Sequence, residues 1–350
     1  MRRRLLLGLS SLLGLLGPGS CEYEGASLKM GCAQLVVDRI DPLVSPGVIG
    51  SHHLHQIVGG NSFNATMDPR DDPGERSTCT TCTMADDFSN YWTAVMYFRA
   101  RNGTYKRVKQ LGVLYFEDAR QGGMKIYYFP PRKNTTRVVA FRRGFRMRNG
   151  NPNASATQYQ GIDYTCLLRA DTRYTNRSAT FPPHMCPEGI LTTIYFPNCW
   201  DGIHLDSPDH YNHVAWPVGT HFVGGSPQGD YDCPATHPVV IPQVVLEIRW
   251  DTREFNAPEL WPEDGSQPFV WSFGDRVGYG HHGDYVFGWR GDALQRAFDY
   301  PLPGKNCDDQ GCGVAVQDMA EANKCMVEPS VGEAADGWLE KLPGGVVADS

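Results

Sequence analysis

Glycine and proline punctuate this chain so densely that no long helix fits between them. Its 350 residues include 38 Gly and 25 Pro, which interrupt helices and mark turns. Between them lie short runs rich in Val, Ile, Tyr and Phe, at residues 91–98, 111–116, 124–129, 137–141, 192–196 and 239–250. Runs of that length and composition, bounded by Gly, Pro and Asn, read as strands. Helical periodicity is convincing only at 294–298 and 314–324. The expected fold is mainly β: one large jelly-roll-like β-sandwich with long, disulfide-braced loops and few short helices.

The ends and the cysteines point to export. Met1-Arg2-Arg3-Arg4 followed by a Leu-, Gly- and Ser-rich stretch reads as a secretory signal over residues 1–20. The apolar run is shorter than the roughly 20 residues that span a bilayer, and the C-terminal sequence carries no apolar tail for a lipid anchor. Eleven cysteines suit an oxidising compartment. Acceptor sequons at Asn64, Asn102, Asn134, Asn153 and Asn176 suit a glycoprotein. We therefore expect a secreted, extracellular chain with no membrane anchor, its domain spanning 21–328 and a Gly- and acid-rich disordered tail at 329–350. Cys21 sits beside the cleavage point, so the mature chain keeps ten or eleven cysteines, and ten pair evenly. "CTTC" at 79–82 has no second CxxC and no following helix, so structural disulfides are favoured over a redox pair or half a zinc site. A formal charge of −7 excludes a broad basic face for nucleic acid, and "RRGFR" at 142–146 reads as a solvated strand face.

Three segments mix histidine with carboxylates. "GSHHLHQIVGG" holds His52, His53 and His55; in an extended segment His53 and His55 share a face and His52 opposes them. Such an HxH pair suits zinc or copper, or else two rings satisfied by buried carbonyls. "NCWDGIHLDSPDHYNHVAWP" holds Asp201, His204, Asp206, His210 and His213, a metal or acid–base cluster or a polar loop of Asp-capped turns. "GYGHHGDYVFGW" puts His282 two residues before Asp284. If the strands fold these onto one face, they form a polar site walled by Trp and Tyr, suited to a carbohydrate; alternatively Trp92, Trp200, Trp250 and Trp271 are core.

These motifs, together with "DRIDPLVSPG", "CTTC…DDFSNYW" and "CPATHPVVIPQVVLEIRW", resemble in order those of a secreted fungal family catalogued as domain of unknown function nineteen-ninety-six. The resemblance spans residues 35–297 and implies an extracellular, carbohydrate- or wall-related protein without supplying an activity. Matching positions include Arg39, Asp41, Ser51, His53, His55, Trp200, Asp201, Asp206, His210, His213, His237, Glu247, His282 and Asp284, whereas His52 and His204 depart from the pattern.

The expected function is a secreted carbohydrate-active enzyme, a polysaccharide hydrolase or lyase. Its catalytic candidates are His53, His55, Asp201, His210, His282 and Asp284. Arg39, Trp200, Asp206, His213, His237 and Trp289 are the substrate-binding candidates. A hydrolase needs two carboxyls from Asp201, Asp206, Glu247 and Asp284; a lyase uses a base such as His53, His210 or Tyr285 beside a group that neutralises a uronate. The alternatives are a metalloprotein with a divalent ion on His53 and His55, and a non-catalytic wall-binding glycoprotein. The absence of HExxH disfavours an ordinary zincin.

Overall fold

The computed structural model describes residues 27–348, apart from 113–116, 131–137, 157–160, 170–171, 173–174, 176, 220, 224–225, 229–230, 301–305 and 308–310. The signal at 1–20, Cys21, Asn134 and Asn176 lie outside the described residues. The chain is mainly β, as its composition predicts. An eight-stranded sheet runs in the order Arg177–Ser178, Ile162–Cys166, Ile190–Tyr195, Gln243–Trp250, Met124–Phe129, Ser27–Cys32 and Asn306–Cys307, with Gln110–Leu111 paired to the end of Gln243–Trp250. A five-stranded antiparallel sheet runs Val36–Asp38, His55–Gly59, Asn90–Ala94, His282–Val286 and Arg146–Gly150.

The two sheets pack face to face because alternate residues of each are apolar. Val58, Tyr91, Met147 and Tyr285 of the smaller sheet join Met30, Ile126, Ile194, Leu246 and Ile248 of the larger one in a single core. Gly283 marks the closest approach: a Cβ there would lie 3.0 Å from both Ile194 and Leu246. Within this core Tyr91 donates to Asp87 (2.6 Å), Trp289 Nε1 donates to the Tyr128 hydroxyl (3.0 Å), and Tyr128 and Tyr285 hydroxyls meet at 3.0 Å.

Several expectations need correction. Residues 138–141 are not a strand; Val138 and Phe141 plug the core from a loop, which is why the run is apolar without forming a ladder. Residues 113–116 lie outside the described residues. The helix expected at 314–324 is one turn, Met319–Ala322, with Asp318 accepting from the Glu321 N–H at its start. The segment from 329 to 348 is packed: Trp338–Leu339 pairs with Tyr105–Arg107, and Ala335, Leu339, Leu342 and Val346 pack with Val95, Tyr97 and Val270. Its few apolar residues are spaced to meet this one surface, a pattern that composition hides. Arg146 in the basic run is only 4% exposed.

The bridges are Cys32–Cys82, Cys79–Cys325, Cys166–Cys186, Cys199–Cys233 and Cys307–Cys312. The two cysteines of "CTTC" therefore serve different disulfides, as structural cysteines rather than a redox pair. Among the described residues no helix is long and apolar enough to cross a membrane.

Candidate metal centre

Side-chain alternation in the five-stranded sheet decides which residues meet. His55 and Ile57, Ala94 and Trp92, His282 and Asp284, and Arg148 and Arg146 share the face turned away from the larger sheet. Two loops seal that face, the one before strand His55–Gly59 with Ile40 and Leu43 and the one after it with Phe63, Ala65 and Met67, against Ile57, Trp92 and Val286. One end of the covered face is polar. Ala94 pairs with His55, and its neighbour Thr93 with Gly283, so Ala94 separates the two histidine strands. Its methyl group leaves room for both rings, whose centroids are 5.9 Å apart.

The third ring descends from the loop. A bend at 52–53 exposes His52 and turns His53 inward, 4.2 Å from the His55 ring and 5.0 Å from that of His282. The Nε2 atoms of His53 and His282 lie 3.1 Å apart. All three residues are buried, and each offers a ring nitrogen within 4.8 Å of the other two.

Backbone carbonyls fix which nitrogens face inward. A carbonyl only accepts, so His282 Nδ1 carries its hydrogen toward Gly280 O (2.8 Å) and His55 Nδ1 toward Ile40 O (3.1 Å). Nε2 of each ring then keeps its lone pair, the tautomer a metal takes. Burial, with repulsion from His55, His282 and His52, holds His53 well below the ordinary imidazole range. Burial also lowers His55, against the pull of Asp41. His282 falls to about 4 through burial and then His55. These rings are neutral at neutral pH, with lone pairs available to an ion.

Polar atoms beside the trio lack partners. Buried polar groups are normally bonded, yet His55 Nε2, Ser51 Oγ, Trp92 Nε1 and both carboxylate oxygens of Asp284 are buried without a hydrogen bond. Burial, and then Asp41, pushes Asp284 well above the usual carboxylate range despite Arg148. Arg148 stands opposite Asp284 in the neighbouring strand. Its Nε donates to Asp209 O (2.9 Å) and its backbone N–H to His210 O (2.9 Å). It thus ties the trio's sheet to the loop at 201–213.

Similarity places the whole arrangement in a family. The family model described as Domain of unknown function (DUF1996) matches residues 41–289. The chain belongs to this family. No curated protein and no solved structure shows significant similarity to the chain. The span matched to the DUF1996 model holds His53, His55, Arg148, His282 and Asp284, whereas Arg39 and the C-terminal segment lie outside it.

The remaining sequence candidates occupy other surroundings. His210 Nδ1 bonds Asp206 Oδ1 (2.7 Å), with the histidine backbone in the left-handed region at φ 57°, a conformation uncommon for a residue other than glycine. Asp201 binds His204 Nδ1 (2.6 Å) instead of joining the trio. His213 is buried between Ser207 Oγ and Arg146 O. His237 bonds Asn212 O near the surface. Trp200 and Trp289 are core residues whose Nε1 atoms donate to His204 O and the Tyr128 hydroxyl, so neither presents a ring face for stacking. Arg39 grips loop carbonyls. Arg148 was missed because it lies two residues beyond the basic run at 142–146, although an alternating Arg-x-Arg at 146–148 was the available signal.

Proposed function

We propose that this protein is a secreted carbohydrate-active enzyme whose His53, His55 and His282 hold one divalent transition ion, zinc or copper. The observation that carries this reading is the convergence of three neutral imidazoles, two of them oriented through Nδ1 by backbone carbonyls. Three protein ligands leave a coordination position for another group. When bound, the ion would supply a fixed positive charge and Lewis acidity at this buried end of the sheet.

Of the two enzyme readings, lyase chemistry on a uronate-containing polysaccharide fits better. His210, oriented by Asp206, supplies a base, and Arg148 beside it supplies positive charge for the uronate carboxylate. The base takes the proton next to the carboxylate, a carbon–carbon double bond forms, and the glycosidic oxygen leaves with a proton. The proton that His210 takes returns to that oxygen, because Asp284 is only 1% exposed and does not reach a polymer. Tyr285 is excluded as base by its place in the core hydroxyl network.

The test is a panel of neutral and uronate-containing polysaccharides, scored for new reducing ends and for the ultraviolet absorbance of unsaturated ends. The expected result is unsaturated ends from uronate polymers alone, lost in His210→Ala. Reducing ends without unsaturation would make the enzyme a hydrolase, and no product from any polymer would overturn the enzyme reading.

A further inference from the structure

We infer that the C-terminal segment sets the position of His53 through Arg39 and Glu333, making these two positioning residues of the histidine trio. The inference rests on the metal-centre reading, and the experiment below separates the two.

His53 is the only member of the trio carried by a loop, so something must fix that loop. Arg39 does so from the preceding strand's end: Nη1 donates to both Gly50 O (2.9 Å) and Ser51 O (2.7 Å), and Ser51 N–H returns a bond to Arg39 O (2.7 Å). The guanidinium approaches Gly50 closely: the glycine's φ is +82°, and a Cβ there would sit 3.2 Å from Arg39 Nη2. The loop backbone is thus held up to the buried Ser51, two residues before His53.

Arg39 is in turn aimed by the far end of the chain. Its Nε donates to Glu333 Oε1 at 2.7 Å, with both side chains about four-fifths buried. The other Glu333 oxygen accepts the Gly344 N–H (3.0 Å), and Gly344 again approaches closely enough that a Cβ would lie 3.2 Å from Arg39 Cζ. Asp38 anchors the same crossing by accepting from the backbone N–H groups of Arg39 and Ser330. A second ion pair, Arg107–Asp336 (2.9 Å), holds the segment elsewhere without touching Arg39. Outer partners that orient metal ligands typically change affinity by about 10- to 100-fold when removed.

The experiment compares the full chain with Glu333→Ala, Glu333→Gln and Asp336→Asn, after matching melting temperatures in the metal-free state. Two quantities are read: zinc affinity by competition, and labelling of His53 by an imidazole acylating reagent, with exposed His52 as internal reference. Expected is an affinity roughly tenfold weaker in Glu333→Ala, His53 labelling rising toward that of His52, a partial effect in Glu333→Gln, and neither change in Asp336→Asn. Should Glu333→Ala fail to fold, Arg39→Lys keeps the charge but puts one nitrogen in place of Nε and Nη1, so it cannot hold Glu333 and both carbonyls in this geometry, and it should reproduce the effect. Wild-type behaviour in both readouts, or equal effects in Asp336→Asn, overturns the inference. If the wild-type chain takes up no zinc, the metal reading falls, and His53 labelling alone decides the clamp.

Discussion

His55 and His282 stand on the two strands that flank Ala94, with 5.9 Å between their ring centroids. That spacing makes Ala94 as important to the site as the histidines. Ala94→Leu should abolish metal uptake by driving the rings apart, and overpacking should also lower stability by roughly 1–3 kcal/mol. Metal content and melting temperature measured on the same sample check both parts.

The histidines should rank by what they face. His53→Ala, His55→Ala and His282→Ala should each lose metal binding, whereas His52→Ala should bind as wild type because His52 points to solvent. Titration of each purified variant with zinc and copper reads the order directly.

Stability should depend on pH through Asp87. Burial pushes this carboxyl up to about 6, despite hydrogen bonds with Ser89 and Tyr91. A folded pKa above the unfolded value means the stabilisation is full below about 4 and is lost as pH rises through about 6. Wild type should therefore gain stability relative to Asp87→Asn as pH falls from 7 to 4, by at most about 3 kcal/mol. The trio histidines act with the opposite sign, so the difference between the two proteins is the quantity to measure. Parallel melting curves across that range would contradict the assignment.

Bridge removal should follow loop length. Cys79–Cys325 closes a separation of 246 residues and Cys307–Cys312 one of 5. Replacing the first pair by Ala should destabilise by roughly 2–4 kcal/mol, and the second by less, since longer loops lose more unfolded-state entropy when closed. Denaturant titration of the two double variants gives the comparison.

What was legible in the sequence is what local chemistry writes down. Runs such as Met124–Phe129 are apolar because both sides of the strand are buried, and they read as strands at once. His53 and His55 were visible as HxH, although a bend at 52–53, not a continuous strand, brings them together. His282 was visible through its spacing from Asp284, and stacking of His281 on Trp271 at 4.2 Å assigns that neighbour to the core. Ala94 and Arg148 were hidden, since their importance comes from register between strands far apart in sequence. Trp200 and Trp289 misled for the converse reason: an aromatic flanking a polar motif gives no sign of which side of the sheet it packs on. The C-terminal segment was hidden because a few apolar residues suffice to dock it onto an existing surface.

The most direct test of the account is metal analysis of the full chain purified without chelators, then reconstituted and examined by X-ray absorption at the bound metal's edge. The account predicts about one zinc or copper ion per chain, with a first coordination sphere of imidazole nitrogens that disappears in His55→Ala. A chain that holds no ion as purified, takes up none on reconstitution, and melts identically with and without zinc and copper would contradict it.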